Sequence, residues 1–289
     1  MLRLAVATDA ETLDRMRGPL ADRGIEAEHL STTKRAVPLS GAADAYGDFD
    51  VGFVYPSRLM EGGVADAALS IPWLNDREAV LRSRNKAETI ARLDRGGVPT
   101  PETVSISNPA DESALVAAFR RFDPPVVVKP NSTTRGIGVL KATDLDSFLG
   151  VCDYLSLVHD YRATGDRSFL VQEYLPEARD YRLMVVGGTC VGGVERRLSD
   201  PQRADGRWKH NVHRGAEAVA VDPDPELRSL AESAASTLDI DYLGVDVLRT
   251  PDRTVVNETN ARPTIDDAEK YDPGFYDDLA AMIEETARS

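Results

Sequence analysis

Between Leu243 and Asn260 the chain carries two apolar runs, Leu243-Gly244-Val245-Asp246-Val247-Leu248 and Val255-Val256-Asn257-Glu258-Thr259-Asn260, separated by Pro251-Asp252-Arg253. Pro and Asp are turn chemistry, so the segment predicts an antiparallel hairpin centred on Asp252. That symmetry seats Asp246 directly across from Glu258, and Asn260, two residues on, shares the same face. Two opposed carboxylates in apolar strands repel each other and are expensive to bury. A hard divalent cation removes the penalty. Asp246, Glu258 and Asn260 offer only oxygen ligands, which suits Mg²⁺, or Mn²⁺ in its place. The bland alternative is a solvated sheet face with incidental charges.

A second stretch, Val126-Val127-Val128-Lys129-Pro130-Asn131-Ser132-Thr133-Thr134-Arg135-Gly136-Ile137-Gly138-Val139, reads as a strand entering a Ser/Thr/Gly loop and leaving as another strand. Gly136 and Gly138 let the backbone close over a ligand and aim N–H groups at anionic oxygens. Lys129 stands where it can place a charge on a phosphate. A P-loop needs a helix directly after the loop with Lys-Ser/Thr at its end. None follows, so a phosphate contact here has to come from a flap above a nucleotide. The alternative is a flexible hairpin with a surface lysine.

The remaining chain alternates helix and strand. Leu2, Leu4 and Val6 predict a half-buried strand, Thr8-x-x-Glu11 a capping box, and Leu13, Met16 and Leu20 a helix that Gly24 stops. Strands near 25–30 and 49–55 complete a small α/β lobe ending near Leu81. No Gly-x-Gly-x-x-Gly follows its first strand, so no dinucleotide site is expected there. One helix is predicted from about Asp76 to Arg95, and others near 111–121, 144–158, 225–238 and 275–287. Strands are expected at 125–130, 139–142, 169–175, 242–249 and 254–260, with a hairpin over 182–195 turning at Gly187-Gly188.

The chain has 289 residues and a net charge of −14. Its length suggests two lobes, its charge disfavours nucleic acid, and its apolar runs are too short for a membrane span. Met1 to Val6 meets acidic residues by Asp9 and Glu11, unlike a signal peptide. Cys152 and Cys190 form no disulfide framework, which fits a reducing cytoplasm and a core role. There are six lysines against 28 arginines, and Asp outnumbers Glu by 30 to 18. An acidic, Lys-poor surface of this kind suits a salt-loving organism, in which salt screens the self-repulsion. Further basic residues, in Asp180-Tyr181-Arg182, Glu195-Arg196-Arg197 and Lys209-His210-Asn211-Val212-His213-Arg214-Gly215, are spread over a chain otherwise depleted in lysine. Singly, each reads as a solvated charge. His210-x-x-His213 lacks the Cys or Glu partners of a zinc set, and no Gly-x-Ser-x-Gly elbow occurs.

Taken in order these motifs resemble the ATP-grasp superfamily, and most closely its RimK-like carboxylate–amine ligases, from about Asn75 to Ile265. The resemblance implies an α/β protein of ATP-grasp fold with an N-terminal Rossmann-like pre-ATP-grasp domain, the nucleotide lying between two lobes. The expected units are residues 1–82, 83–172 as the lid subdomain and 173–289 as the metal-binding subdomain. Asn75-Asp76-Arg77 followed by Ser83-Arg84-Asn85-Lys86 resembles the helix that brings a first lysine, Lys86, to ATP. Val128-Lys129 resembles the second ATP lysine, and Thr134, Arg135, Gly136, Ile137 and Gly138 the flap. Gln172, Glu173, Tyr174 and Leu175 resemble the hinge strand that reads adenine. Asp180 and the tripeptide Lys209, His210 and Asn211 fall on nucleotide-contacting positions. Asp246, Glu258 and Asn260 match the magnesium ligands already singled out by the hairpin argument.

The resemblance further implies that ATP phosphorylates a carboxylate and an amine then displaces phosphate, forming an amide. Arg182, Arg196 and Arg214 are the candidates for stabilising the acyl phosphate and oxyanion. The partners implied are a small-molecule or peptide carboxylate acceptor and an amino acid such as glutamate, and a homo-oligomer is compatible with the pattern. Two other readings stand beside the ligase: an ATP-grasp kinase, and a catalytically silent nucleotide-binding regulator. After the last metal position the family's namesake continues Ala-Ser-Pro-Gly, whereas this chain reads Ala261-Arg262-Pro263-Thr264-Ile265-Asp266-Asp267. Arg262 is expected either to clamp a substrate carboxylate, with Asp266 or Asp267 holding an ammonium, or to belong to a charged turn.

Overall fold

A computed structural model describes residues 1–8, 11–40, 42–133, 136–161 and 166–289. Thr134 and Arg135 of the expected flap, and the start of the expected capping box after Thr8, lie outside the described residues.

The chain begins β1 (Leu2–Val6), α1 (Glu11–Ala21), β2 (Ile25–His29), β3 (Val51–Phe53), α2 (Leu59–Leu69) and β4 (Trp73–Leu74). The four strands form a parallel sheet in the order β2-β1-β3-β4. Leu4, Ala5 and Val6 are all buried, so β1 is covered on both faces instead of being half-buried. The reason is topological: a central strand of a parallel sheet is sandwiched by its crossover helices. Here Leu4 and Val6 pack with Leu13 and Met16 of α1, while Ala5 packs with Ala65 of α2.

Where the apolar spacing predicts one helix, the structure has two, α3 (Arg77–Arg84) and α4 (Lys86–Arg95). Asn85 adopts φ −79°, ψ 88°, which ends α3, and its side chain accepts from Glu88 N at 3.3 Å, which caps α4. Asp76 caps α3 by accepting from Ala79 N at 2.8 Å. Asn and Asp compete with helical backbone and favour caps, so a residue that looks tolerable mid-helix becomes a boundary.

Next come β5 (Thr103–Ser107), α5 (Glu112–Phe119), β6 (Val126–Pro130), β7 (Leu140–Ala142), α6 (Leu145–Tyr161) and β8 (Ser168–Glu173). Their strands make an antiparallel sheet ordered β5-β8-β6-β7, and α5 and α6 cover it through Phe119, Phe148 and Cys152. The last part holds β9 (Arg179–Val186), β10 (Thr189–Arg197), α7 (Asp200–Ala204), β11 (Glu217–Val221), α8 (Pro225–Leu238), β12 (Leu243–Arg249), β13 (Thr254–Asn260) and α9 (Phe275–Thr286). Its antiparallel sheet runs β11-β10-β9-β12-β13. Ala231, Ala234 and Ala235 of α8 pack on Leu183, Val185, Val245 and Val247. On the other side α9 carries Leu279 and Ile283 into one core with Leu4, Val6 and Met184, joining this sheet to the first.

Asp246 does pair with Glu258, but not through a hairpin centred on Asp252. The pairs nearer the turn are Arg249 with Thr254, Leu248 with Val255 and Val247 with Val256, which is one residue tighter. The register then shifts between Asp246 and Val247, leaving Asn257 as the extra residue of a β-bulge. A one-residue slip turns every side chain to the opposite face, and a bulge reverses it. Asn257 is therefore what returns Glu258 to the position opposite Asp246.

Candidate active site

A cleft of about 920 Å³ opens between the β5–β8 sheet and the β9–β13 sheet, and reaches the C-terminal ends of β1 and β3. Among the described residues its wall carries eleven Arg and Lys against six Asp and Glu, in a chain whose net charge is −14. Concentrating cations in a concave, partly dry site favours an anionic ligand.

The floor is one row of paired residues running Arg182, Asp246, Glu258 across β9, β12 and β13. Arg182 donates Nε and Nη2 to the two oxygens of Asp246 at 2.8 and 2.9 Å. Arg196 brings Nη2 to 3.1 Å from Asp246 Oδ2 and also donates to Asp180. Burial by itself would push the Asp246 carboxyl up, but the two guanidiniums outweigh it and hold it below the usual carboxylate range. Glu258 meets Lys86 Nζ at 3.2 Å. Lys86 also donates to the carbonyls of Asn131 and Thr133, at the root of the loop that leaves β6. Asn131 fixes that root by donating to Asn85 Oδ1 and accepting from Ala87 N, both at 2.8 Å. The helix break at Asn85 thus positions the first lysine. Lys129, 4% exposed, donates to Asn257 Oδ1 at 3.4 Å, and burial pushes its ammonium down to about 8.

Strand β13 is braced from behind. Ser83 Oγ lies 3.1 Å from Thr259 Oγ1 and accepts from Ala261 N at 3.0 Å. Asn75, at φ 57°, donates to Tyr242 O and Ala261 O, both at 2.6 Å. No group of three or more His, Cys, Asp or Glu that could cage a metal occurs among the described residues. Two carboxylates and an amide oxygen instead make half a coordination sphere of hard donors. That fits a divalent ion which keeps waters and takes its other oxygens from a phosphorylated substrate. Asn260 already uses Oδ1 to accept from Arg262 N at 2.9 Å, which orients the amide.

At the opposite end, strand pairing stops at Glu173, and the backbone N–H groups of Tyr174 and Leu175 border the cleft without a backbone hydrogen bond among the described residues. Gln172 donates to Thr103 Oγ1 at 2.8 Å, and Glu173 accepts from Glu102 N at 2.7 Å and pairs with Arg253. Trp208 meets Tyr174 edge-on at 5.8 Å, and Lys141 Nζ sits 4.7 Å from the Tyr174 ring and 5.4 Å from that of Trp208. Lys209 donates to Val139 O, and a side chain at Gly136 would collide with Asn211, so the flap lies against the 209–211 segment. His210 Nδ1 is 3.5 Å from Asp180 Oδ2.

The structure thus gathers Lys86, Lys129, Gly136, Gln172, Glu173, Tyr174, Leu175 and Asp180 around one cleft. Arg182, Arg196, Lys209, His210, Asn211, Asp246, Glu258 and Asn260 line it too. It does not bring in Arg214, Ile137 or Gly138: Arg214 is exposed on a short turn, and Ile137 is 58% exposed at the flap. Arg262 is committed to backbone carbonyls of Ala7, Val54 and Tyr55, and Asp266 and Asp267 pair with Arg15 and Lys270. The substrate clamp expected of that segment gives way to a charged turn tying it to the first lobe. Asn131, Ser83, Trp208 and Arg84 were not legible as site residues. Asn131 follows Pro130 directly, and a small amide at the exit of the strand that carries Lys129 is the one local signal available.

A cleft floored by one antiparallel sheet and roofed by the hairpin of another defines the ATP-grasp fold. Residues 83–283 match the model of the RimK-like ATP-grasp domain, and the chain belongs to that family. Over 199 residues it is 36% identical to a probable alpha-L-glutamate ligase of an Enterobacter species and 35% identical to a ribosomal protein bS6–L-glutamate ligase of Escherichia coli. Each match covers 68% of this chain and 62% of the relative, so it spans less than two thirds of the curated proteins. Among solved structures, a RimK domain ATP-grasp protein from Sphaerobacter thermophilus superposes with TM-score 0.68 at 24% identity, covering 99% of this chain and all of that one. A D-alanine–D-alanine ligase from Bacillus anthracis complexed with ATP gives 0.69 at 16% identity, covering 100% of this chain and 98% of that one.

Proposed function

We propose that this protein is an ATP-dependent ligase that joins the carboxylate of an acceptor to the amine of an amino acid, glutamate being the first to try. The observation that carries the reading is the row Arg182–Asp246–Glu258 with Lys86, Lys129 and Arg196 around it. Paired acids that suit a cation, ringed by cations that suit an anion, are complementary to a metal–triphosphate. Asp246, Glu258 and Asn260 would hold Mg²⁺ or Mn²⁺, which when bound draws charge from phosphoryl oxygens.

The protein's own groups do the positioning. Tyr174 and Leu175 offer backbone to the base. Asp180, Lys209, His210 and Asn211 border the path of the sugar and phosphates, and Lys86 ties the flap root to the phosphate end. The γ-phosphoryl group passes to the acceptor carboxylate, giving an acyl phosphate and ADP. The neutral amine then attacks the acyl carbon and phosphate leaves. Positioning and charge complementarity dominate such transfers. Arg182 and Arg196 face the developing oxyanion, while Arg214, outside the cleft, is left out of the set. Residues 1–82, 83–172 and 173–289 are taken as the working units. No described helix is long and apolar enough to cross a membrane, and the acidic, Lys-poor composition points to a salt-rich cytoplasm.

The test is ADP release with Mg²⁺ in high salt, crossing glutamate, lysine and other amino acids with acid acceptors and reading products by mass. An amide and free phosphate are expected. A stable phosphorylated acceptor would make the protein a kinase, and nucleotide binding without ADP across the panel would make it a regulator.

A further inference from the structure

The parallel sheet presents the C-terminal ends of β1 and β3 to the cleft, beside the metal-facing strand. Its order, β2-β1-β3-β4, reverses direction between β1 and β3. In open parallel sheets the crevice outside such a switch point is where ligands settle. Thr8 follows β1, Ser57 follows β3, Arg84 ends α3 and Arg262 follows β13, and all four line the cleft.

The two arginines differ in how they are held. Arg262 straps the switch point shut through the carbonyls of Ala7, Val54 and Tyr55. Arg84 uses one donor, Nη2, on Ser57 O at 2.9 Å, and no described Asp or Glu lies within ion-pair distance of it. A guanidinium has five N–H donors in a planar fork, so most of this one's capacity is uncommitted. Burial lowers the pKa of Arg84, and no opposite charge offsets the effect. The hydroxyls of Thr8 and Ser57 make no hydrogen bond to the described protein. A half-buried guanidinium with spare donors, sharing one cleft wall with two uncommitted hydroxyls, is the complement of a carboxylate.

We propose that Arg84, with Thr8 and Ser57, holds the α-carboxylate of the incoming amino acid, the group that stays free while the amine reacts. This rests on the ligase reading and narrows it: the nucleophile is an amino acid with a free α-carboxylate, not a simple amine or an amino-acid amide.

The experiment uses the full chain with Mg²⁺ and a non-hydrolysable ATP analogue, and reads amino-acid binding by calorimetry. The probes are L-glutamate, the other common amino acids, and the α-carboxamide of each binder. The wild type is expected to bind a free acid and to lose about 10- to 100-fold in affinity for its α-carboxamide. Arg84→Met should show the same loss for the free acid and little further loss for the amide, since both changes remove one interaction. Arg84→Lys should regain part of it, with analogue affinity within about twofold throughout. Arg84→Met binding the free acid as tightly as wild type, with the analogue still bound, would overturn the assignment and leave the ligase reading intact. A wild type that binds the analogue but no amino acid would instead overturn the ligase reading itself.

Discussion

Lys129 shows how burial sets the charge of a side chain in the cleft. Its ammonium titrates near 8, below the free-lysine value of about 10.4, because burial disfavours the charged form. The unfolded chain therefore binds the extra proton between those two values. The burial penalty is full below about pH 8 and is relieved as the pH climbs toward about 10.4, so this group makes stability rise with pH there. A bound phosphate favours the charged form, so nucleotide affinity should fall as the pH rises through about 8, by at most about tenfold per unit. Lys129→Met should bind more weakly and lose that slope, as a fluorescence titration between about pH 7 and 9 would show. A flat wild-type profile would mean that Lys129 does not face the anion. Asp246→Asn tests the opposite charge. It leaves Arg182 and Arg196 without their shared counter-charge and is expected to lower stability by about 3 kcal/mol in urea denaturation, alongside loss of metal-dependent nucleotide binding.

Two short irregularities place these residues, and each belongs to an element. Inserting one residue between Val256 and Asn257, with the bulge kept to a single residue, should carry Glu258 one place past Asp246 and onto the opposite face of β13. Mn²⁺ binding in the presence of nucleotide, followed by electron paramagnetic resonance, should then disappear, although the hairpin itself still forms. Retention of the Mn²⁺ signal would show that this register does not aim the ligand. Asn85→Ala removes a helix cap and the acceptor for Asn131, and should cost about 1–2 kcal/mol by thermal denaturation. It should also weaken nucleotide binding, because Lys86 begins the capped helix. Neither irregularity was legible locally. Apolar spacing runs smoothly through Asn85, and turn residues centre the hairpin on Asp252. Which residue is left out of a ladder depends on the neighbouring strand β9, which pairs continuously with β12 from Leu243 to Arg249.

Across the whole molecule, charge is sorted by place. The net charge is −14, while the cleft wall is predominantly cationic. Salt should therefore act in two directions: it screens repulsion over the acidic surface and weakens attraction inside the cleft. Unfolding temperature should rise from dilute buffer to molar KCl while nucleotide affinity declines. Higher stability in dilute buffer would contradict the sorting. The same scale explains the link between the first sheet and the rest. The strap from Arg262, the pairs from Arg15 to Asp266 and Asp267, and the α9 core hold the switch point against β13.

Residue types and short-range spacing by themselves singled out the candidate chemistry: oxygen donors two residues apart on one strand face, a lysine ending an apolar strand, glycines in a loop between strands. These are legible because local backbone geometry sets which side chains share a face. Only the tertiary structure decided which cations answer which acids, that Arg262 serves the first lobe, that Arg214 stands outside, and that Arg84 keeps most of its donors uncommitted. Long-range partners, burial and register arise from packing segments far apart in the chain, and no local pattern encodes them.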